Sequence, residues 1–190
     1  MCSFVNDLKA IFVFSKYGME ELVILVDEQD NELGVMPKME AHLKGVLHRA
    51  FSVFLFNDNG ELLLQKRASS KYHSPSLWTN TCCSHPRKNE TIIAAAQRRL
   101  QEEMGISADL SVQFSFKYKA ELDQGLIEHE LDHVLVGTFN GKPELNAEEA
   151  EDWKYISTAE LTKEIQKHPN QFTEWFKICL EQTLNSKVNV

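Results

Sequence analysis

The stretch from Glu90 to Ile106 carries a regular set of charged residues. After Glu90 and seven intervening residues it reads Arg-Arg-Leu-Gln-Glu-Glu-Met-Gly-Ile. Arg99 and Glu103 are four residues apart, so on a helix they share one face, and Glu102 lies beside them. The guanidinium of Arg99 is a cation of the kind that suits a phosphate group. An amphipathic helix with a surface ion pair would produce the same pattern.

A second set of residues has the side chains of a metal site. Glu128 and Glu130 are two residues apart in a strand-like run, so both side chains emerge on one face. Three imidazoles and two carboxylates suit a borderline divalent ion such as Zn²⁺, Mn²⁺ or Fe²⁺, and Mg²⁺ as well. The candidate ligands are His42, His48, His85, Glu128 and Glu130. On composition alone, His73, His129, His133 and His168 are equally good candidates.

A third feature is Cys83, which lies in the segment Trp-Thr-Asn-Thr-Cys-Cys-Ser-His-Pro that begins at Trp78. In an exposed loop beside cationic groups, the pKa of this thiol would be lowered, and the group could act as an acid or a base. The alternatives are a buried structural cysteine and a chance pair with its neighbour Cys82.

The charge of the chain is unevenly distributed. The formal net charge is −8, yet the stretch from Lys38 to Arg99 has ten basic and four acidic residues and nets +6. The overall acidity argues against a nucleic-acid-binding or membrane-surface protein, because both need a basic face. The local positive field fits a small, highly charged anion such as a diphosphate, and an unevenly charged solvated surface explains it equally well.

The composition is that of one soluble domain. The chain has 190 residues, of which 43% are hydrophobic and 25% charged. No apolar run approaches the ~20 residues needed to span a bilayer. The cysteines show neither CxxC pairs nor regular spacing, which predicts reduced thiols and a cytoplasmic location instead of a disulfide framework or a zinc ribbon. They are Cys2, Cys82, Cys83 and Cys179.

The central predicted element is a helix over residues 90–104. Asn89 can cap its start, and Gly105 suits a left-handed stop at its end. Its predicted apolar face consists of Ile93, Ala96, Leu100 and Met104.

Other elements surround this helix. The sequence Asn-Asp-Asn-Gly at 57–60 predicts a hairpin turn, and residues 38–44 predict a loop or a helical turn. Residues 67–89 lack periodicity but are rich in chemically active side chains, as functional loops often are. Strands are predicted at 21–27, 50–56, 61–66, 112–120 and 128–139, and later helices at 158–167 and 170–184. This order indicates a single domain of the α+β or α/β class.

The charged helix resembles the Nudix box, a loop-helix signature that binds diphosphates through a divalent cation. The family pattern is G-x5-E-x7-R-E-U-x-E-E-x-G-U, where U is apolar. Ser84 replaces the leading glycine, and Arg99 replaces the first glutamate of the helix. The second replacement removes a metal ligand, so the resemblance implies a site that holds a diphosphate but cleaves it poorly. The matching residues are Glu90, Arg98, Leu100, Glu102, Glu103, Gly105 and Ile106.

Taken together, the motifs resemble the type 1 isopentenyl-diphosphate isomerases, which have the Nudix fold. The resemblance runs in family order over about residues 20 to 180 and implies an α+β, α/β/α-like fold, with mixed β-sheets around the Nudix loop-helix and helices at the C-terminus. The matching strings are KMEAH at 38–42, LHRAFS at 47–52, RASSK at 67–71, WTNTCCSHP at 78–86 and EHE at 128–130.

The resemblance implies a reaction and roles for the residues. Isopentenyl diphosphate becomes dimethylallyl diphosphate when one proton is added and another removed through a tertiary carbocation. Cys83 would act on one side of the hydrocarbon, and Glu130 with the Tyr118 hydroxyl on the other. Trp78 and Trp175 would present aromatic faces to the cation, or be ordinary core residues. A divalent ion, Zn²⁺, Mn²⁺ or Mg²⁺, would be held by His42, His48, His85, Glu128 and Glu130. The diphosphate would be held by Lys38, Arg67, Lys71 and Arg99, with a Mg²⁺ ion bound through Glu103.

Two alternatives stay open at this point: a Nudix pyrophosphohydrolase of a nucleotide or another diphosphate, and a non-catalytic diphosphate- or metal-binding module. We expect residues 1–18 to be an N-terminal extension and residues 19–190 to form one Nudix-type catalytic domain. A monomer is expected, with no nucleic-acid or membrane partner.

Overall fold

A computed structural model describes residues 21–187 of the protein, apart from the side chains of residues 123 and 185–187. The predicted extension at 1–18 lies outside the described residues. Within them, no helix has the length and apolar character needed to cross a membrane. The elements are β1 (Leu22–Val26), β2 (Glu32–Pro37), α1 (Lys38–Lys44), β3 (His48–Phe56), β4 (Leu62–Arg67), β5 (Trp78–Thr79), β6 (Cys82–Ser84), α2 (Ile92–Met104), β7 (Leu110–Glu121), β8 (Ile127–Thr138), β9 (Ala150–Ile156), α3 (Thr158–Lys167) and α4 (Glu174–Lys187).

Strand β3 lies at the centre of a mixed sheet. On one side it pairs in parallel with β8, from His48 opposite Glu130 to Phe56 opposite Thr138. On the other side it pairs antiparallel with the short strand β6, where Ser52 lies opposite Cys83. Strand β7 extends the sheet beyond β8, and β9 pairs with β4. This arrangement confirms the predicted α+β class with mixed strands.

Residues alternate along β3 between two hydrophobic cores. Phe51, Val53 and Leu55 pack with α2 on one face, whereas Phe54 and Phe56 pack with α4 on the other. Alternation with a period of two places every second strand residue on the same face. His48 and Ser52 therefore lie on the same face as Phe54. On this face the first half of β3 carries these two polar side chains, and the second half carries Phe54 and Phe56.

The Nudix-type helix begins later than predicted. Helix α2 starts at Ile92, and the Thr91 hydroxyl caps it by accepting a hydrogen bond from the Ala94 amide at 3.2 Å. Asn89, the predicted cap, instead occupies a left-handed turn with φ of 66°. Ile93 is 40% exposed and not part of the core face. The predicted stop is confirmed, because Gly105 has φ of 63°.

Residues 67–89 are less irregular than predicted, because they contain β5 and β6. Strands of two and three residues are too short to show a periodic pattern, so only their partners in the sheet define them. Residues 38–44 form helix α1, in agreement with the helical alternative. The last helix begins at Glu174, four residues later than predicted.

Candidate active site

A cavity of about 800 Å³ opens beside the polar end of β3 and β8. Helix α2, helix α4 and the loop of residues 68–77 contribute to its walls. Two predicted site residues within 21–187 do not line it: His48 is fully buried, and Trp78 packs against the core formed with α4. The predicted site residues that line it are Lys38, His42, Arg67, Lys71, Cys83, His85, Arg99, Glu103, Tyr118, Glu128, Glu130 and Trp175.

Four of the five predicted metal ligands form a buried cluster. Their ligand atoms all lie within 4.8 Å of one another. One comes from α1, one follows β6, and the other two lie opposite each other on β3 and β8. Chain segments far apart in sequence therefore supply one donor set. Its members are His42, His48, His85 and Glu130.

The protonation pattern of the cluster fits a divalent cation. His48 donates from Nδ1 to the carbonyl of Val46 at 2.8 Å, which leaves Nε2 as the ring nitrogen that faces the cluster. That nitrogen lies 3.5 Å from Oε1 of Glu130. Burial lowers the pKa of His42 to about 3, so its imidazole is neutral and able to bind a metal. We conclude that these residues fit a metal ion of the imidazole-and-carboxylate type.

Glu128, the fifth predicted ligand, lies outside this cluster of four. It shares a strand face with Glu130, and its Oε2 accepts a hydrogen bond from the Tyr118 hydroxyl at 3.1 Å. The same hydroxyl lies 2.7 Å from Oε2 of Glu130. The phenol therefore bridges the two carboxyl groups.

The two carboxyl groups differ in their affinity for a proton. Burial, with the nearby charge of Glu130, raises the pKa of Glu128 well above its usual range. Burial opposes ionisation of Glu130 too, but the ring nitrogens of His48 and His85 hold its pKa well below the usual range. Burial also raises the pKa of Tyr118. The group therefore combines an ionised Glu130 with a protonated phenol and a carboxyl group that retains its proton readily.

Cys83 reaches the cavity from the other side of β3. Its partner Ser52 shares the sheet face of His48 and Glu130, so the thiol and the carboxylate emerge on the same face, from strands that flank β3. The neighbouring Cys82 points to the α2 core, and both thiols are free. The expectation of a lowered thiol pKa was wrong, because burial raises the pKa of Cys83 far above that of an exposed cysteine.

The basic residues that line the cavity lie beside more acidic residues than the sequence predicted. The Lys38 ammonium lies 3.1 Å from Glu21, and Lys71 is paired with Glu149. Arg99 contacts Glu103 at 2.7 Å and Glu149 at 3.2 Å. Sequence reasoning missed Glu21 and Glu149, and no local motif marks either of them.

Arg67 and Trp175 form one unit of the cavity wall. The guanidinium donates to the carbonyls of Ser74 and His73, each at 3.1 Å, and so fastens the 68–77 loop to β4. Its central carbon lies 5.2 Å from the Trp175 ring centroid. His73, another residue that sequence reasoning left unassigned, is buried and lies 5.7 Å from the same ring.

Trp78 has a different environment. Its ring lies 4.7 Å from the Lys154 ammonium and packs against the core formed with α4. This position matches the core-residue alternative for Trp78, whereas Trp175 borders the cavity.

Comparison with known sequences gives one family model, the NUDIX domain, which matches residues 46–176. Isopentenyl-diphosphate Delta-isomerase 2 of Aromatoleum aromaticum is 50% identical over 169 residues, which cover 89% of each chain. Isopentenyl-diphosphate Delta-isomerase of Serratia proteamaculans is 54% identical over 158 residues, 83% of this chain and 88% of that one.

Comparison with solved structures finds the same fold at low sequence identity. DR0079 from Deinococcus radiodurans superposes with a TM-score of 0.68 at 17% identity, covering 85% of this chain and 98% of that chain. The MutT protein from Methanosarcina mazei gives 0.60 at 15% identity, covering 74% and 95%. The protein therefore has the Nudix fold, and its chain belongs to the isopentenyl-diphosphate Delta-isomerase family.

Proposed function

We propose that the protein isomerises isopentenyl diphosphate to dimethylallyl diphosphate. The observation that carries this proposal is the position of Cys83 and Glu130, which line one cavity from strands on either side of β3. The same cavity is lined by lysines and arginines, which suit the charged end of the substrate. The names of the relatives support the same reaction.

The reaction needs one proton added to the terminal carbon of the alkene and one removed from the carbon on the far side of the resulting cation. The Cys83 thiol holds its proton, and Glu130 is the ionised carboxylate, so a donor and an acceptor border one cavity. Tyr118 links Glu130 to Glu128, so a proton can move among these three groups. Which side donates first depends on the direction of the reaction.

The buried cluster would hold one divalent ion, Zn²⁺, Mn²⁺ or Mg²⁺, through His42, His48, His85 and Glu130. In the direction in which Glu130 donates, such an ion would make its carboxyl group a better proton donor, as an unactivated alkene requires. Trp175 would present its ring to the carbocation, an interaction worth about 1–2 kcal/mol in a desolvated site. The buried walls also exclude water, which would otherwise capture the cation.

The diphosphate would be bound by Lys38, Lys71 and Arg99, with a Mg²⁺ ion held through Glu103. Glu103 is 3% exposed and accepts from Gln65 at 2.8 Å, so its carboxylate has a fixed position. Arg67 has two of its donors engaged by the 68–77 loop, so its contribution to the diphosphate is through the remaining nitrogen and its charge.

The test is incubation with isopentenyl diphosphate and Mg²⁺ in heavy water. We expect dimethylallyl diphosphate that carries deuterium, and we expect Cys83→Ala to lose turnover while it still binds diphosphate. Cys179→Ala is the matched control, since that thiol is buried in the core with α4, donates to the Phe176 carbonyl and does not line the cavity. Release of phosphate without an isomerised product would contradict the proposal.

We also propose that residues 19–190 act as one catalytic domain, so deletion of residues 1–18 should leave turnover intact. A tenfold fall in turnover of the truncated protein would contradict this. The monomeric state and the cytoplasmic location stay predictions.

A further inference from the structure

Glu149 is an acidic residue in the part of the cavity where a diphosphate would bind. We propose that Glu149 is a positioning residue that makes diphosphate binding depend on a divalent cation. The inference rests on the proposed function, because it concerns how the same cavity admits its substrate. Three features of Glu149 carry it: a fixed backbone, two cationic partners and proximity to Glu103.

The backbone of Glu149 is held from both sides. Its amide donates to the Asn146 carbonyl at 2.9 Å, and its own carbonyl accepts from the Ala68 amide at 3.0 Å. The next residue, Ala150, begins β9 and pairs with Arg67. The side chain therefore extends into the cavity from a well-defined position.

The carboxylate of Glu149 joins two separate elements. One oxygen contacts Lys71, which lies in the 68–77 loop, and the other contacts Arg99 on α2 at 3.2 Å. These two cations are expected to bind the diphosphate, so Glu149 holds both of them in place before substrate arrives. Burial favours the neutral form, but the hydrogen bond from Lys71 and the charge of Arg99 keep the pKa of Glu149 below its usual range.

The same carboxylate opposes an incoming anion. Arg99 is shared between Glu149 and Glu103, so two carboxylates already neutralise this arginine. A diphosphate that approaches alone meets the charge of Glu149 in a partly desolvated site, where like charges repel strongly. A diphosphate that arrives with a divalent cation brings the compensating charge. Glu149 thus selects the metal-bound form of the ligand.

Glu21 pairs with Lys38 in a similar way but is a weaker candidate. Its side chain is 55% exposed, compared with 19% for Glu149. Solvent screens the charge of Glu21 more effectively. It also contacts one cation among the described residues that line the cavity, whereas Glu149 contacts two.

The experiment measures the dissociation constant of inorganic diphosphate by calorimetry, with the full chain, in the presence of Mg²⁺ and in the presence of a chelator. Wild type should bind far more weakly with the chelator. The ratio that matters is the dissociation constant with the chelator divided by the dissociation constant with Mg²⁺. In Glu149→Gln, which keeps hydrogen-bonding groups but loses the charge, this ratio should fall about tenfold. Glu148→Gln is the matched control, because Glu148 is exposed and does not line the cavity.

A second variant gives a change of opposite sign. Lys71→Gln removes one cation and leaves the charge of Glu149 less compensated, so the ratio should rise. If the ratio is unchanged in both variants and binding is weakened equally with Mg²⁺ and with the chelator, Glu149 has only a structural role and the inference is overturned. If wild type then still isomerises its substrate, the proposed function stands. Failure of wild type to bind diphosphate even with Mg²⁺ would contradict both the role of Glu149 and the proposed function.

Discussion

Tyr118 lies directly opposite Glu130 on neighbouring antiparallel strands, and its hydroxyl lies 2.7 Å from Oε2 of that carboxylate. The register of β7 and β8 sets this contact, because side chains at directly opposed positions share one face of the sheet. The hydroxyl is also 3.1 Å from Glu128. The Tyr118 hydroxyl therefore links an oxygen of Glu128 to an oxygen of Glu130 at the wall of the cavity.

Removal of the Tyr118 hydroxyl should slow the reaction strongly. In Tyr118→Phe, Glu130 loses the contact with the phenol hydroxyl and, through it, the link to Glu128, so we expect the turnover number to fall by about 10² or more. The measurement is steady-state formation of dimethylallyl diphosphate, with KM determined separately. Tyr155→Phe is the control, since its hydroxyl donates to the Phe139 carbonyl at 2.8 Å, away from the cavity. Equal losses in both variants would contradict a specific role.

Replacement of Arg99 should weaken diphosphate binding without producing a hydrolase. In Arg99→Gln, Glu103 and Glu149 lose their shared cation, so we expect the affinity for inorganic diphosphate to fall about tenfold. Calorimetry measures the affinity, and a phosphate-release assay tests for hydrolysis. Arg49→Gln is the control, because Arg49 pairs with Asp30 at 2.7 Å and does not line the cavity. Unchanged affinity in Arg99→Gln would exclude Arg99 from the diphosphate site.

Much of the fold follows from local pattern. The Asn-Gly-containing turn at 57–60 joins β3 to β4 as predicted, and Gly105 ends α2 in the left-handed conformation. Both depend on backbone conformations that few residue types adopt, so the residue types alone predict the turn and the helix end. The start of α2 was predicted less well, since Asn89 and Thr91 are both acceptable caps and the preceding turn decides between them.

Site residues were predictable only where they belong to a short sequence motif. His42, His48, His85 and Glu130 belong to recognisable strings, and the structure brings them together. Glu149 has no such string, because its role arises from the pairing of β9 with β4 beside α2. The direction of the pKa shift of Cys83 could not be predicted from the sequence either, since burial of the thiol depends on packing from distant elements.

The buried histidine cluster should make stability depend on divalent metal. Added Zn²⁺ or Mn²⁺ should raise the melting temperature of chelator-treated protein, because an ion that binds only the folded state stabilises it by mass action. His42→Ala should lose most of that rise. His133→Ala should keep it, because His133 faces Asp30 at 3.1 Å and lies outside the cluster. A similar rise in wild type and His42→Ala would place the metal elsewhere.

Asp132 should make the metal-free protein less stable as pH rises. The residue is 1% exposed and accepts from the Ser52 hydroxyl at 2.8 Å, while its Oδ1 has no hydrogen-bond partner among the described residues. Burial, assisted by the charge of Glu130, raises the pKa of Asp132 to about 8. Its ordinary value is about 4. Between these values the folded chain binds a proton that the unfolded chain has released.

The sign follows from that difference in bound protons. Stability is lost as pH rises through this window, by up to about 1.4 kcal/mol per pH unit, and the loss levels off above the folded pKa. Asp132→Asn cannot titrate, so its stability relative to wild type should increase from pH 5 to pH 7 by up to about 3 kcal/mol. Urea denaturation with a chelator measures this difference, with Asp58→Asn in the exposed hairpin turn as the control. A difference between Asp132→Asn and wild type that stays constant with pH would show that Asp132 is ionised in the folded protein, with its charge compensated by the surrounding groups.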